Sequence, residues 1–155
     1  LNDSIEPTFG FLVHDVARSL SNAFDLYLKP FDLTRSQWRA LMYVSRTPGI
    51  SQAELAEQLS VGRMSVTVVL DRLQDKGYLR RVADDTDRRQ NRIYLTPSAE
   101  ALLPTVREAG RKWLDELLVG LSDEEQQTAV NALQRIKRNA ARLLAQDEIG
   151  SGGPE

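Results

Sequence analysis

The chain has no cysteine and a single histidine in 155 residues. Missing thiols exclude a disulfide framework, a thiol nucleophile, a thiol redox sensor and a cysteine zinc site, and the lone His14 excludes a histidine cage. Long apolar runs are lacking too. No stretch approaches the roughly 18 uninterrupted apolar residues of a membrane span. Residues 1–7 lack the basic and apolar regions of a signal peptide, so the expected location is the cytoplasm, with no membrane partner. A Gly-rich phosphate loop, a Cys-His pair and a metal-ligand cluster are all missing, which speaks against an enzyme and leaves no cofactor to expect. What is present is ordinary for a globular protein: 41% hydrophobic and 27% charged residues, in a length suited to one packed domain with helical extensions.

A net charge of −2 argues at first sight against nucleic acid, whose binders usually display a basic surface. The average conceals a gradient. Residues 1–59 hold 5 Lys and Arg against 7 Asp and Glu, residues 60–92 hold 8 against 5, and residues 93–155 hold 7 against 10. One short positive block lies between two acidic flanks.

Apolar residues at Leu12, Val16, Leu20, Ala23, Phe24 and Tyr27 recur at helical spacing, predicting a first helix over 9–29 that Pro30 ends, after a short arm over 1–8. Thr34 to Gln37 has the form of a capping box and opens a second helix burying Trp38, Leu41 and Met42. Ser51 to Glu54 repeats the device for a short helix to about Leu59. A fourth helix begins near Arg63, places Val66, Val69, Leu70 and Leu73 on one face, and stops at Lys76-Gly77. Residues 79–82 and 92–95 read as a two-stranded hairpin around a charged tip, 83–91, with Leu79, Val82, Ile93 and Leu95 leaning on the helices. Thr96-Pro97 starts a long helix with the stripe Leu102, Val106, Ala109, Trp113 and Leu117, which Pro104 should bend. Ser122 caps a last helix with the seam Val130, Leu133, Ile136, Ala140 and Leu143, followed by a flexible tail over 147–155. The fold class is thus mainly α: a winged helix-turn-helix over 31–96 with a two-stranded β-wing, flanked by N-terminal and C-terminal dimerisation helices (9–30 and 97–146).

In that arrangement the fourth helix is the candidate reader. Its outer face carries Arg63, Met64, Ser65, Thr67, Val68, Asp71 and Arg72. Ser65 and Thr67 can donate to phosphates or base edges, Met64 and Val68 can touch a thymine methyl, and Arg63 and Arg72 can neutralise phosphate or pair with guanine. In the hairpin tip, a carboxylate such as Asp87 can hold one arginine while its neighbour enters a narrow minor groove. The end helices predict a homodimer through Leu12, Val16, Leu20, Val106, Trp113, Leu117, Leu133, Ile136, Ala140 and Leu143, which also supplies a second reader about one helical turn away.

The reader stretch from Val66 to Leu79, with its Leu70-Asp71-Arg72-Leu73 and Lys76-Gly77 runs, and the wing Asp87-Arg88-Arg89 ending in Ile93-Tyr94-Leu95-Thr96 resemble the MarR family of bacterial transcription regulators, closest to its SlyA-like members. The resemblance covers residues 9–146. It implies a winged-helix homodimer that binds double-stranded DNA at a palindromic operator, usually as a repressor. It also implies Arg88 as the minor-groove residue at the wing tip, with Asp87 and Arg89 supporting it. Val68 departs from the pattern, since relatives often carry arginine there, so base preference does not transfer. Family members often bind phenolic or carboxylate effectors between the first, second and fifth helices, which makes Phe11, His14, Arg18, Trp38 and Met42 the corresponding candidate pocket wall.

Plainer readings stand beside these. The outer face of the fourth helix can be an ordinary solvated surface, His14 a surface histidine, and Trp38 and Trp113 core residues. Asp84, Asp85 and Asp87 lack the glycine and distal glutamate of an EF-hand loop, which favours a solvated turn over a metal site. A winged helix can also serve protein interaction, because the fold does not set the function. The wing separates the two cases, since an interaction module has no need of Arg88 and Arg89 at its tip. Arg88→Ala should therefore weaken DNA binding across sequences and lower the salt slope by about one ion. Binding isotherms at several salt concentrations measure both, and unchanged values would remove the wing assignment.

Overall fold

Thr34 and Ser51 begin their helices in the same way. In a computed structural model that describes residues 6–84 and 90–150, Thr34 Oγ1 accepts from the Gln37 N–H at 3.3 Å and the Gln37 side chain accepts from the Thr34 N–H at 3.0 Å. Ser51 and Glu54 make the same reciprocal pair at 3.2 and 2.8 Å. Each box satisfies two helix-end donors that would otherwise lack partners, which is why both helices start where the spacing predicts.

The elements run α1 (Glu6–Leu28), a 3-10 turn (Lys29–Phe31), α2 (Arg35–Arg46), β1 (Ile50–Ser51), α3 (Gln52–Leu59), α4 (Arg63–Asp75), β2 (Leu79–Ala83), β3 (Asn91–Leu95), α5 (Pro97–Leu117) and α6 (Asp123–Gly150). Helix α4 ends in a Schellman motif. The Tyr78 N–H donates to Leu73 O at 2.9 Å and the Gly77 N–H to Gln74 O at 2.8 Å, with Gly77 in the left-handed region at φ 71°. Thr96 then starts α5 while its hydroxyl donates to Gly77 O at 2.6 Å, so the chain leaves the sheet beside the end of α4.

Several expectations are corrected. Helix α1 already includes Glu6 and α6 continues to Gly150, so both helices reach beyond the bounds the sequence suggested. The hairpin is part of a three-stranded antiparallel sheet of order β1-β3-β2, with Ile50 opposite Ile93 and Arg81 opposite Ile93 on the other side. Two residues are too short to register as a strand by alternation, so β1 was not legible. Val82 does not lean on the helices; strand alternation puts it with Arg80 on the outer face, where it is exposed. In α5 the inward stripe is Ala99, Leu103 and Val106, with Leu102 only half-buried, and the helix continues through Pro104.

The core is built by the winged helix-turn-helix with the adjoining ends of α1 and α5. Leu28, Leu41, Val44, Leu55, Val66, Leu70, Leu73 and Ile93 are fully buried in it. The chain divides into two compact units, Leu1–Trp113 and Leu114–Glu155, so the boundary falls inside α5 and not at its start. Its first half belongs to the winged core because Ala99, Leu103 and Val106 pack there.

Ser51→Ala removes one half of the cap of α3 and should cost about 1 kcal/mol in chemical denaturation. The Ser51 hydroxyl and backbone N–H, aided by the Arg92 charge, hold the Glu54 carboxyl below its usual value. Its contribution is therefore complete above the ordinary glutamate pKa of ~4.3 and is lost as pH falls through the lowered value. The stability gap between wild type and Ser51→Ala should narrow on acidification; a gap that widens would contradict the assignment.

Candidate nucleic-acid interface

Helix α4 buries Val66, Leu70 and Leu73 against the core, with Val69 half-buried. By helical geometry this turns Arg63, Met64, Ser65, Val68 and Arg72 outward, and all five are exposed, Met64 by 83%. Gly62 caps the helix with no side-chain hydrogen bond, which leaves first-turn N–H groups available to an outside acceptor. An exposed methionine and valine beside uncapped donors and arginines make a face with both apolar and anion-seeking contacts.

Thr67 does not fit the expectation of a donor to DNA. Its hydroxyl donates to the Arg63 carbonyl at 3.0 Å and accepts from the Gln52 side-chain amide at 2.6 Å, so its proton is already used within the helix. The group it presents forward is Gln52, at the start of α3. Gln52 was not picked out in the sequence, because nothing local to α3 indicates a partner fifteen residues along. With Ser51, Ala53, Arg63, Gln90 and Asn91 it lines an open polar cleft of about 360 Å3 between the starts of α3 and α4 and the root of the wing.

Asp71 lies on the outer half of α4, yet it is tied to the wing. Arg81 of β2 donates to its carboxylate at 2.6 Å and to the Gln74 side chain at 3.0 Å. Arg81 shares the inner face of β2 with Leu79, so strand alternation carried the signal. On the outer face, Arg92 donates to the buried Asp84 carboxylate and to the Gly49 carbonyl at 3.3 Å, and its head lies 3.8 Å from Glu54. The Asp84 hydrogen bond and charge raise the Arg92 pKa further. Among the described residues the carboxylate–arginine pair of the wing is Asp84 with Arg92, and it faces back toward β1 and α3, whereas the expected pairing through Asp87 lies outside the described residues. Asp84, one of the three aspartates weighed as metal ligands, is thereby engaged. Asp85, Asp87, Arg88 and Arg89 lie outside the described residues.

The remaining predicted residues fall in different places. Phe11, His14 and Arg18 are exposed on α1, Arg18 paired with Asp15 at 2.7 Å. Trp38 and Met42 are half-buried against the core from α2. Among the dimer candidates, Leu12, Val16, Leu117, Leu133, Ile136, Ala140 and Leu143 are exposed and Leu20 is half-buried. Trp113 stands 4.9 Å from the Phe24 ring and is half-buried. Val106 is corrected: at 1% exposure it is consumed by the core of its own chain and has no surface left for a second copy.

Comparison with known proteins agrees with this geometry. Residues 31–90, which run from α2 through the wing root, match the model of the MarR family. A Bacillus subtilis protein named as an uncharacterized HTH-type transcriptional regulator, YybA, is 28% identical over 127 residues, 82% of this chain and 85% of that one. A crystal structure of a mutant E. coli MarR in complex with operator DNA superposes with a TM-score of 0.79 at 29% identity, covering 88% of this chain and 97% of that one. A crystal structure of the regulator SlyA gives 0.77 at 27% identity, over 86% and 94%.

Asp84→Asn should loosen the root of the wing without unfolding the chain. Hydrogen exchange is expected to speed up at the amides of β2, β3 and residue 84, whose N–H donates to Gln90 O at 3.0 Å, while α2 amides stay protected. Unchanged exchange in β2 and β3 would show that the pair does not anchor the wing.

Proposed function

We propose that this chain is a transcription regulator of the MarR family that acts as a homodimer on a palindromic operator, as a repressor. The outer face of α4 carries the reading. Met64, Val68, Ser65 and the two arginines Arg63 and Arg72 stand clear of the core around an uncapped helix start, a face of mixed apolar and cationic groups suited to base edges and phosphates. In this mechanism the first turn of α4 binds a phosphate and the exposed side chains meet base edges in the major groove. Gln52, held by Thr67, touches the backbone beside it, and Arg88 enters the flanking minor groove.

The second copy is argued from surface. Helix α6 exposes Leu133 by 57% and Leu143 by 62%, and the first half of α1 exposes Leu12 by 59%. Rows of apolar residues at helical spacing lose water favourably only against a partner, and an identical chain brings the same rows by symmetry. A small carboxylate or phenolic effector is part of the reading through Phe11, His14, Arg18, Trp38 and Met42. It acts by preferring a dimer whose two α4 helices are wrongly spaced, and its effect is bounded by that preference.

Selection from a random DNA duplex pool at moderate salt tests the reading. Enrichment of an inverted repeat, with half-sites about one helical turn apart, is expected. Light scattering should give twice the 17.4 kDa chain mass. No enrichment would favour a protein-interaction module instead, and a monomeric mass would remove the dimer.

A further inference from the structure

With no thiol in the chain, oxidation chemistry falls to its two methionines, Met42 and Met64. A thioether is then the side chain most open to two-electron oxidants. The fold treats the two unequally. Met42 packs against the core from α2 and is half-buried, whereas Met64 is 83% exposed, more than any other large hydrophobic side chain among the described residues. Trp38 and Trp113 are half-buried as well. An oxidant arriving from solvent therefore meets the Met64 sulfur first.

The position of Met64 gives that reactivity a consequence. It is the second residue of α4, one turn before the exposed Val68, and the two form an apolar strip at the start of the helix. Gly62 caps this start without a side-chain hydrogen bond, so first-turn N–H groups stay open. Oxidation to the sulfoxide turns the apolar tip into a polar group whose oxygen accepts hydrogen bonds. That oxygen takes up an open N–H or holds water. In either case it stands where α4 would receive a phosphate or a thymine methyl, and both of these lose by meeting a second acceptor.

We propose that Met64 is a reversible oxidation site through which hypohalous acids switch off operator binding. The inference rests on the DNA-reading role proposed for α4. In net terms, with hypochlorous acid, an S–O bond forms at Met64 and the O–Cl bond is lost. Sulfur gives up two electrons to chlorine, chloride leaves, and a proton passes to water. Reversal takes two thiols of a sulfoxide reductase: the S–O bond breaks, oxygen leaves as water, and a disulfide forms on the reductase. The chain has no cysteine to supply those thiols itself, so restoration needs that second protein.

Treatment of the full-length protein with graded hypochlorous acid, quenched with free methionine before the pool-selected duplex is added, tests the proposal. Peptide mass analysis should find one added oxygen on Met64 at doses that leave Met42 unmodified. At those doses operator affinity should fall about tenfold or more, the scale of an unmatched acceptor in an interface. Sulfoxide reductases for both epimers should restore it. In Met64→Leu the ratio of affinities before and after treatment should stay near one, whatever the starting affinity, and in Met42→Leu it should fall as in the wild type. Met64→Gln, a polar stand-in, should bind as weakly as the oxidised chain without any treatment. Oxidation of Met42 before Met64, full affinity with Met64 oxidised, a loss that reduction does not reverse, an equal loss in Met64→Leu, or wild-type affinity in Met64→Gln would each overturn the switch and leave the reading of α4 intact. An untreated chain that enriches no duplex would overturn that reading, and the switch with it.

Discussion

Ile93 is the residue on which the position of the wing depends. It lies in the middle of β3, opposite Ile50 on one side and Arg81 on the other, and it is completely buried. A two-stranded hairpin is marginal in water by itself, and burying an isoleucine contributes on the order of 1.5–3 kcal/mol. That burial, with the β1 pairing and the Gly49 N–H donating to Ile93 O at 2.9 Å, joins the hairpin to the core of the helix-turn-helix. The root of the wing and α4 therefore pack on one core.

Electrostatics then refines the geometry. Counted along the chain, residues 60–92 form the one positive block, but the structure spends part of that charge internally. Arg81 neutralises Asp71 and fastens β2 to α4, while Arg92 neutralises Asp84 beside α3. Lys76 donates to the Asp32 carboxylate at 2.8 Å and to the Asp32 carbonyl, fastening the end of α4 to the turn after α1. Arg63 and Arg72, by contrast, have no ion pair among the described residues, and both lie on the exposed side of α4. Positive charge is thus kept where an outside anion can reach it and cancelled where strands and helices must stay together.

Local features of the fold were readable in advance. The boxes at Thr34 and Ser51, the glycine stop at Gly77, the Thr96-Pro97 start and the inward face of α4 need only residues within about one helical turn of each other. Errors arose where position depended on distant partners. Hydrophobicity alone points Val82 inward, yet it shares a face with Arg80, and helical spacing offers Val106 to a partner, yet its own core covers it. By sequence Thr67 is a candidate donor to DNA, but in space its hydroxyl is engaged by the Gln52 amide and the Arg63 carbonyl.

The sequence by itself determined where α2, α3, α4 and α5 begin, where α4 ends, which face of α4 is apolar, and that a charged hairpin follows it, because capping and amphipathic spacing are satisfied within a few residues. Only the tertiary structure decided which arginines are structural. Arg81 and Arg92 are tied down, whereas Arg80 and Arg107, far apart in sequence, line one cavity without carboxylate partners. The physical reason is that an ion pair is a matter of distance in space, and period and composition carry no record of which element folds against which.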